Sequence, residues 1–150
     1  MTAKGSRGFS VIELVIVLAL AAMVASFAVP SLQRSLALTR LQTSAVELAA
    51  ELNFARTIAL TRGAVFQLSV DTGNGTYQVV DPADLDHPPR TAKRLEQGIR
   101  FAAVPGEPIE FRPRGFARGG TLRLTDGFGN FVEVVVLSTG LVEVRQPEVS

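Results

Sequence analysis

The chain turns apolar at Gly8-Phe9-Ser10-Val11-Ile12-Glu13 and stays apolar until Pro30. Across residues 14–29 only Ser26 interrupts this run, whose length approaches the roughly 20 residues that a membrane-spanning helix requires. Glu13 lies inside it, and a carboxylate in hydrocarbon is costly, which makes Glu13 a candidate functional residue. The structural alternative is a spanning helix in which Glu13 lies high enough to reach the lipid headgroups.

The residues before the run are short and polar and carry Lys4 and Arg7 but no acid. A conventional signal peptide has its cleavage site after the apolar region. Here the change from polar to apolar residues comes at the start of that region, at Gly8-Phe9. Gly8 has no side chain, so a protease could approach its carbonyl closely in an extended conformation.

This N-terminus resembles the class III leader of type IV pilins and of type II secretion pseudopilins. The shared pattern is a basic leader, a glycine, a phenylalanine and, as the fifth residue of the mature chain, a glutamate. The resemblance implies that a membrane-embedded prepilin peptidase cleaves between Gly8 and Phe9 and that Phe9 is then N-methylated. It also implies that Glu13 of an incoming subunit pairs with the Phe9 amine of a neighbour already in the fibre.

Charge and length set the expected topology. Lys4 and Arg7 precede the apolar run, so the positive-inside rule leaves the N-terminus cytoplasmic and sends the rest of the chain outward. Together with this topology, the resemblance to pilins implies a cleaved leader at 1–8, a transmembrane or fibre-core helix at 9–30 and a periplasmic GspH/FimT-like domain at 31–150. The net charge of +1 indicates no strongly charged partner, and the lack of cysteine excludes disulfides and thiolate metal sites.

A second helical pattern begins at Ser31, where apolar residues recur at steps of three and four. This is the pattern of one buried helix face. Its members are Leu32, Leu36, Leu41, Ala45, Leu48, Leu52, Ala55 and Ala59. Polar residues such as Glu51 fall mostly elsewhere around the helix. Because Gly63 is a natural stop, one helix is predicted from about residue 9 to residue 62, bent or loosened around Pro30.

After Gly63 the period becomes that of strands. Residues 64–70 and 76–80 flank Asp71-Thr72-Gly73-Asn74-Gly75, which predicts a hairpin, and residues 81–93 contain three prolines and read as an exposed loop. Shorter strands are predicted at 99–103, 109–112, 121–124, 131–137 and 141–145. The fold class is therefore α+β, with a long N-terminal helix whose apolar face packs on antiparallel sheet.

The second half of the chain is similar to the GspH/FimT domain. The similarity rests on these segments: Leu95-Glu96-Gln97-Gly98-Ile99, Ile109-Glu110-Phe111-Arg112-Pro113-Arg114-Gly115, Gly120-Thr121-Leu122 and Val134-Val135-Val136-Leu137-Ser138-Thr139-Gly140. Members of this family are minor pseudopilins of type II secretion and minor pilins of type IV pili, at or near the tip of a short fibre. The resemblance implies a pseudopilus subunit for protein export, with other pseudopilins or pilins and an inner-membrane assembly platform as partners.

Residues for catalysis are scarce, so we expect no enzyme and no cofactor. His87, the single histidine, lies beside Asp84 and Asp86 in the proline-rich loop, and three ligands on one loop are weak grounds for a metal site. No motif places a histidine as base for a serine. Gly127-Phe128-Gly129 reads as a turn rather than a nucleotide-binding loop.

Four arginines interleaved with aromatic residues form the alternative candidate site. They are Arg112, Arg114, Arg118 and Arg123, with Phe111 and Phe116 among them. Arginines near aromatic rings can hold nucleic acid. In the GspH/FimT family, which this chain resembles, DNA binding by the uptake pilins is associated with a Gly-Arg-x-Arg pattern near the C-terminus. Here Gly140 is followed instead by Leu141, Val142 and Glu143. We therefore expect subunit assembly without nucleic acid, with a DNA-uptake pilin as the alternative and a solvated strand edge as the structural explanation of the arginines.

Overall fold

One long helix and a set of short strands make up the described part of the chain. The structure, a computed structural model, describes residues 10–146, without the side chains of residues 27 and 28. Helix α1 spans Val11–Arg62. It ends where Gly63 takes a left-handed backbone with φ of 64°, the conformation that glycine adopts most easily. The predicted helix end is thus confirmed, while the predicted helix start at Phe9 lies outside the described residues.

Nine strands follow within residues 10–146, in two antiparallel sheets. They are β1 Phe66–Asp71, β2 Thr76–Val80, β3 Lys93–Arg94, β4 Arg100–Ala103, β5 Glu110–Phe111, β6 Ala117–Arg118, β7 Gly120–Thr125, β8 Phe131–Val136 and β9 Val142–Arg145. One sheet has the order β3-β2-β1-β5-β6 and the other the order β4-β7-β8-β9. The α+β prediction, with a helix packed on antiparallel sheets, is confirmed.

Both long hairpins turn on an aspartate that binds its own turn. Asp71 Oδ1 accepts hydrogen bonds from the Gly73 and Asn74 amides, at 2.9 and 3.0 Å, between β1 and β2. Asp126 Oδ1 accepts from the Phe128 and Asn130 amides, at 2.8 and 2.9 Å, between β7 and β8. Aspartate suits these positions because its short side chain reaches the amides two to four residues on.

The core lies between the second half of α1 and both sheets. Its helix members are Leu41, Ala45, Leu48, Leu52, Ala55, Ile58 and Ala59, which form one buried cluster with strand residues such as Phe66, Tyr77, Phe111, Leu122 and Val134. Two expectations about the helix face were wrong. Leu32 and Leu36 are 62% and 47% exposed, because the buried face begins only at Leu41. Glu51, expected on the polar side, is 1% exposed.

Two two-residue strands were missed. β3 pairs with β2 and includes Lys93, which had been assigned to the exposed loop, and β6 pairs with β5 at the edge of its sheet. The Ala117 amide of β6 donates at 2.9 Å to the Ser138 carbonyl, just beyond β8 of the other sheet. Strands this short show no alternation in sequence, so only their hydrogen bonds define them.

The chain divides into two compact units, residues 1–35 and residues 36–150. The second contains the whole buried core and both sheets. A boundary between residues 30 and 31, as expected from Pro30, stays a prediction.

Candidate functional site

The N-terminal assembly residues lie at or before the start of α1. Gly8 and Phe9, the predicted processing residues, are outside the described residues. Glu13 lies in the first turn of α1, where the helix dipole favours a carboxylate. Its side chain is exposed, and it has no ion pair among residues 10–146. A carboxylate placed this way is available to a group from another molecule.

The helix around Glu13 is long and apolar enough to cross a membrane, by length and composition. Its apolar side chains are exposed rather than packed. They include Val11, Ile12, Leu14, Val15, Ile16, Val17, Leu18, Leu20, Met23, Val24 and Val29. Water is a poor solvent for such a surface, so this exposure is consistent with membrane anchoring.

Pro30, predicted to bend the helix, lies inside α1, which continues past it to Arg62. Proline lacks the amide hydrogen that would bond to the carbonyl four residues earlier, and its ring crowds that carbonyl. The helix therefore has a locally weaker backbone at this position. The bend itself stays a prediction.

A buried carboxylate on α1 is the site feature that sequence reasoning missed. Glu51 Oε2 lies 2.9 Å from Lys93 Nζ on β3 and 3.7 Å from the Arg90 guanidinium. The Arg90 guanidinium also lies 3.6 Å above the centre of the Phe54 ring. Oε2 has no hydrogen bond of good geometry among the described residues, so its contact with Lys93 is an ion pair by distance. These contacts hold the end of the 81–93 segment on the helix.

Tyr77 lies beside this cluster, with its ring 1% exposed and its hydroxyl without a hydrogen-bond partner among the described residues. Burial, with smaller contributions from the charges of Glu47 and Glu51, raises the pKa of Tyr77 to about 12. The phenol is thus held neutral. The only sequence signal for this cluster was Glu51 itself, one step from the apolar Leu52.

The candidate nucleic-acid arginines are largely neutralised by acids of this chain. Arg112 Nε lies 3.1 Å from Glu110 Oε1. Arg118 Nε lies 3.3 Å from Glu107 Oε2. Arg118 Nη2 lies 3.8 Å from a second carboxylate, that of Glu110. A phosphate would have to compete with these carboxylates for each guanidinium, which weakens the electrostatic attraction that DNA binding requires.

The other two arginines of the group do not complete a continuous basic surface. Arg123 is on β7, in the other sheet, where it pairs at 2.6 Å with Glu133 directly opposite on β8. Arg114 is exposed in the turn after β5 and has no ion pair among the described residues. The structure thus brings Arg112 and Arg118 to one sheet edge, and of the four candidate arginines Arg114 has no ion-pair partner within residues 10–146.

The loop histidine forms a pair rather than a cluster. His87 Nδ1 lies 2.9 Å from Asp84 Oδ1, and both side chains are exposed. Across residues 10–146 no three or more histidine, aspartate or glutamate side chains are grouped so that they could hold a metal ion. Asp86 is therefore not brought to the other two.

The fold and the exposed N-terminal helix define the class as a type IV pilin-like protein, with one long helix packed on antiparallel sheets. Two family descriptions match the sequence. Residues 44–140 match GspH, the type II transport protein, and residues 3–29 match the prokaryotic N-terminal methylation motif. The chain belongs to the GspH family. The predicted resemblance to the GspH/FimT family is confirmed, and no curated protein matches the sequence.

Solved structures share the fold at low sequence identity. The minor pseudopilin EpsH of the Vibrio cholerae type 2 secretion system aligns with a TM-score of 0.62 at 15% identity, covering 73% of this chain and 98% of EpsH. The type IV minor pilin FimU of Pseudomonas aeruginosa aligns with a TM-score of 0.59 at 16% identity, covering 73% of this chain and 94% of FimU. At these identities the similarity shows the fold alone.

Family and motif together give the general function. By family the chain is a type II transport protein of the GspH kind, and its methylation motif implies prepilin peptidase processing and pilin-type assembly in general. The family and the fold are those of structural proteins rather than of enzymes. The N-terminal apolar helix is consistent with membrane anchoring.

Proposed function

We propose that this chain is the precursor of a minor pseudopilin that is cleaved between Gly8 and Phe9, N-methylated at Phe9, and assembled at or near the tip of a periplasmic pseudopilus that drives protein export across the outer membrane. The observation that carries this proposal is the match of residues 3–29 to the methylation motif, in front of a GspH match over residues 44–140. The basic residues Lys4 and Arg7 support a single-pass topology in the inner membrane with a periplasmic C-terminal domain.

Glu13 is the proposed assembly residue. It lies in the first turn of α1, is exposed, and is surrounded by the apolar residues of the same helix. In hydrocarbon an unpaired carboxylate is costly, and pairing with the Phe9 amine of a neighbouring subunit removes much of that cost. Glu13 thereby sets the axial register of the fibre, while residues 14–29 of many subunits pack into its core. An inner-membrane assembly platform is the proposed site of subunit addition.

Intact mass of the membrane-extracted protein tests the processing step. A mature chain beginning with methylated Phe9 is expected. A chain that still begins at Met1, or one that is cut beyond Pro30, contradicts the proposal. Gly8→Val should block cleavage because a branched side chain crowds the scissile bond.

Glu13→Ala tests the assembly step. We expect normal cleavage but reduced incorporation into fibres, since the change removes an intersubunit partner and leaves the protease site intact. The control is Ser26→Ala, an uncharged change in the same helix. If the Glu13→Ala protein copurifies with companion subunits as well as wild type does, the pairing role is wrong.

A type IV pilus minor pilin is the second candidate function, because the fold is also that of FimU. DNA uptake by such a pilin is less well supported, because Arg112, Arg118 and Arg123 are each paired with a glutamate. Gene neighbourhood separates the two machines: an adjacent secretin, assembly ATPase and pseudopilin genes favour secretion.

A further inference from the structure

Two glycine turns meet the last turns of α1. A Cβ added to Gly115 would lie 3.7 Å from Leu60 Cδ2. A Cβ added to Gly140 would lie 2.5 Å from the Gly115 carbonyl oxygen and 3.2 Å from Arg56 Nε. The turn after β5 and the turn after β8 therefore lie side by side against Arg56 and Leu60 of the helix.

These adjoining segments expose three large apolar side chains. Leu60 is 47% exposed, Phe116 beside Gly115 is 63% exposed, and Leu141 beside Gly140 is 48% exposed. Single exposed apolar residues are ordinary on a protein surface. Three of them on touching segments, one of them a phenylalanine, are typical of a protein contact. We call Leu60, Phe116 and Leu141, together with Arg56 and Arg114, the glycine-turn surface.

This surface carries two arginines for which the described residues provide no carboxylate partner. Arg56 Nε is buried and has no hydrogen-bond partner, and neither Arg56 nor Arg114 has an ion pair among the described residues. Arg112 and Arg118, near Arg114 in sequence, are by contrast paired with Glu110 and Glu107. Arg114 is exposed, so a carboxylate of another molecule can reach its guanidinium.

We propose that the glycine-turn surface docks the periplasmic domain of another pseudopilin subunit, one that presents a carboxylate beside apolar side chains. This inference rests on the proposed function, since it takes the partner from the same fibre. The apolar side chains supply contact area, and the partner's carboxylate pairs with the exposed Arg114. Arginine beside an aromatic residue at the centre of an apolar patch is the composition of an interface hot spot.

A nucleic acid is the competing occupant, and the observations favour protein. DNA binding draws its affinity from several cations spaced along the phosphates. Here Arg114 is exposed and has no ion pair in the described part of the chain, Arg56 is half-buried, and Arg112 and Arg118 are already paired. The exposed Leu60 and Leu141 match no phosphate or base, whereas a protein surface can cover them.

The test is photo-crosslinking of the full-length protein in its own cells. A photoreactive phenylalanine analogue replaces Phe116 in one strain and Phe128 in the other. Phe128 is a matched control, since it is an exposed phenylalanine on a glycine turn outside the proposed surface. We expect position 116, and not position 128, to crosslink to a protein with its own prepilin leader, identified by mass spectrometry. Equal products at both positions, none at 116, or DNA as the product would each overturn the proposal.

Charge reversal tests the acidic partner. Arg114→Glu should reduce the crosslinked product at position 116 roughly tenfold, as expected when a charge at an interface is opposed by a like charge. Replacing the partner's contacted carboxylate residue by arginine should restore the product. Unchanged crosslinking in Arg114→Glu, or no restoration by any acidic residue of the crosslinked peptide, contradicts the charge pairing.

The same samples separate this proposal from the proposed function. Intact mass reports whether Phe9 is the mature N-terminus, independently of the surface. A processed protein without a crosslink at position 116 rejects the surface alone. An unprocessed protein that still crosslinks to a subunit rejects the fibre function and supports the surface.

Discussion

Tyr77 on β2 and Lys93 on β3 lie directly opposite each other in antiparallel register. Directly opposite residues place their side chains on the same face of a sheet. Both therefore lie toward Glu51 of α1: Lys93 as its ion-pair partner at 2.9 Å and Tyr77 as a buried neighbour whose pKa the carboxylate helps to raise. A two-residue strand thus attaches the sheet edge to the helix through one charge pair.

Lys93→Met should destabilise the protein by about 1–3 kcal/mol, because it leaves the buried Glu51 carboxylate with only the more distant Arg90. Glu51→Gln in the same chain should recover part of this loss, since no buried charge then remains. Urea unfolding of a fragment starting at Leu36 measures both, with Arg94→Met on the same strand as control. Additive effects of the two changes would show that the pair is not coupled.

Tyr77→Phe should leave stability unchanged or raise it by about 1 kcal/mol, since it removes a buried hydroxyl that has no hydrogen-bond partner among the described residues. The variant should also lose less stability at alkaline pH. The pKa of Tyr77 is about 12 in the folded protein, above the ordinary value of 10. The phenol therefore ionises more easily in the unfolded chain, and the free energy of unfolding falls as pH rises from 10 toward 12. Thermal unfolding between pH 8 and 11 should show a smaller loss in the variant. A strongly destabilised variant would mean that the hydroxyl has a partner.

Asp126→Ala should destabilise the β7–β8 hairpin by about 1–3 kcal/mol, since Asp126 accepts from two backbone amides and from Asn130 Nδ2 at 2.7 Å. Burial raises the pKa of Asp126, but these hydrogen bonds outweigh it and lower the pKa below 3.8. The contribution is therefore complete above pH 3.8 and lost as pH falls through the folded pKa. Acid unfolding followed by circular dichroism measures it.

Asp71→Ala is the control for the Asp126 variant, because Asp71 makes the same kind of turn in full exposure. Hydrogen bonds from Asn74 lower the pKa of Asp71 as well. We expect the smaller effect at Asp71, where water replaces the lost acceptor. A larger loss at Asp71 than at Asp126 would show that burial does not decide the difference.

Gly140→Ala should destabilise the protein by about 1–3 kcal/mol, because Gly140 has a φ of 76° and an added Cβ would lie 2.5 Å from the Gly115 carbonyl oxygen. Gly106→Ala is the matched control, since nothing lies within 4 Å of its Cβ position and its φ is not positive. The thermal unfolding midpoint of Gly140→Ala should be lower than that of Gly106→Ala. Equal midpoints would mean that the two turns separate at little cost.

DNA binding by residues 31–150 should be weak at physiological salt, because Arg112, Arg118 and Arg123 are already paired with glutamates. Any binding that remains should vanish as salt rises, because it depends only on counterion release. A gel-shift titration at two salt concentrations, with the Arg112, Arg114 and Arg118 triple alanine variant beside wild type, measures it. Micromolar or tighter binding that the triple variant abolishes would favour the DNA-uptake alternative.

The helix, its end at Gly63, the Asp71 hairpin and the α+β class were all predictable from the sequence, because each depends on local chemistry. A period of 3.6 or 2 identifies the residues that share a face, and glycine marks the left-handed positions. The leader likewise consists of adjacent residues, so its motif could be read directly. The roles of Gly8, Phe9 and Glu13 stay predictions, since they concern contacts with other molecules.

The tertiary structure decided what the apolar face touches and which charges are used. Leu32 and Leu36 continue the periodic pattern of Leu41 yet stay exposed, because periodicity does not show where the sheets stop covering the helix. Glu51 is buried, and Arg112 and Arg118 are neutralised, through partners elsewhere in the chain. Burial and ion pairing depend on distances of a few ångströms between segments far apart in sequence, and only folding sets those distances.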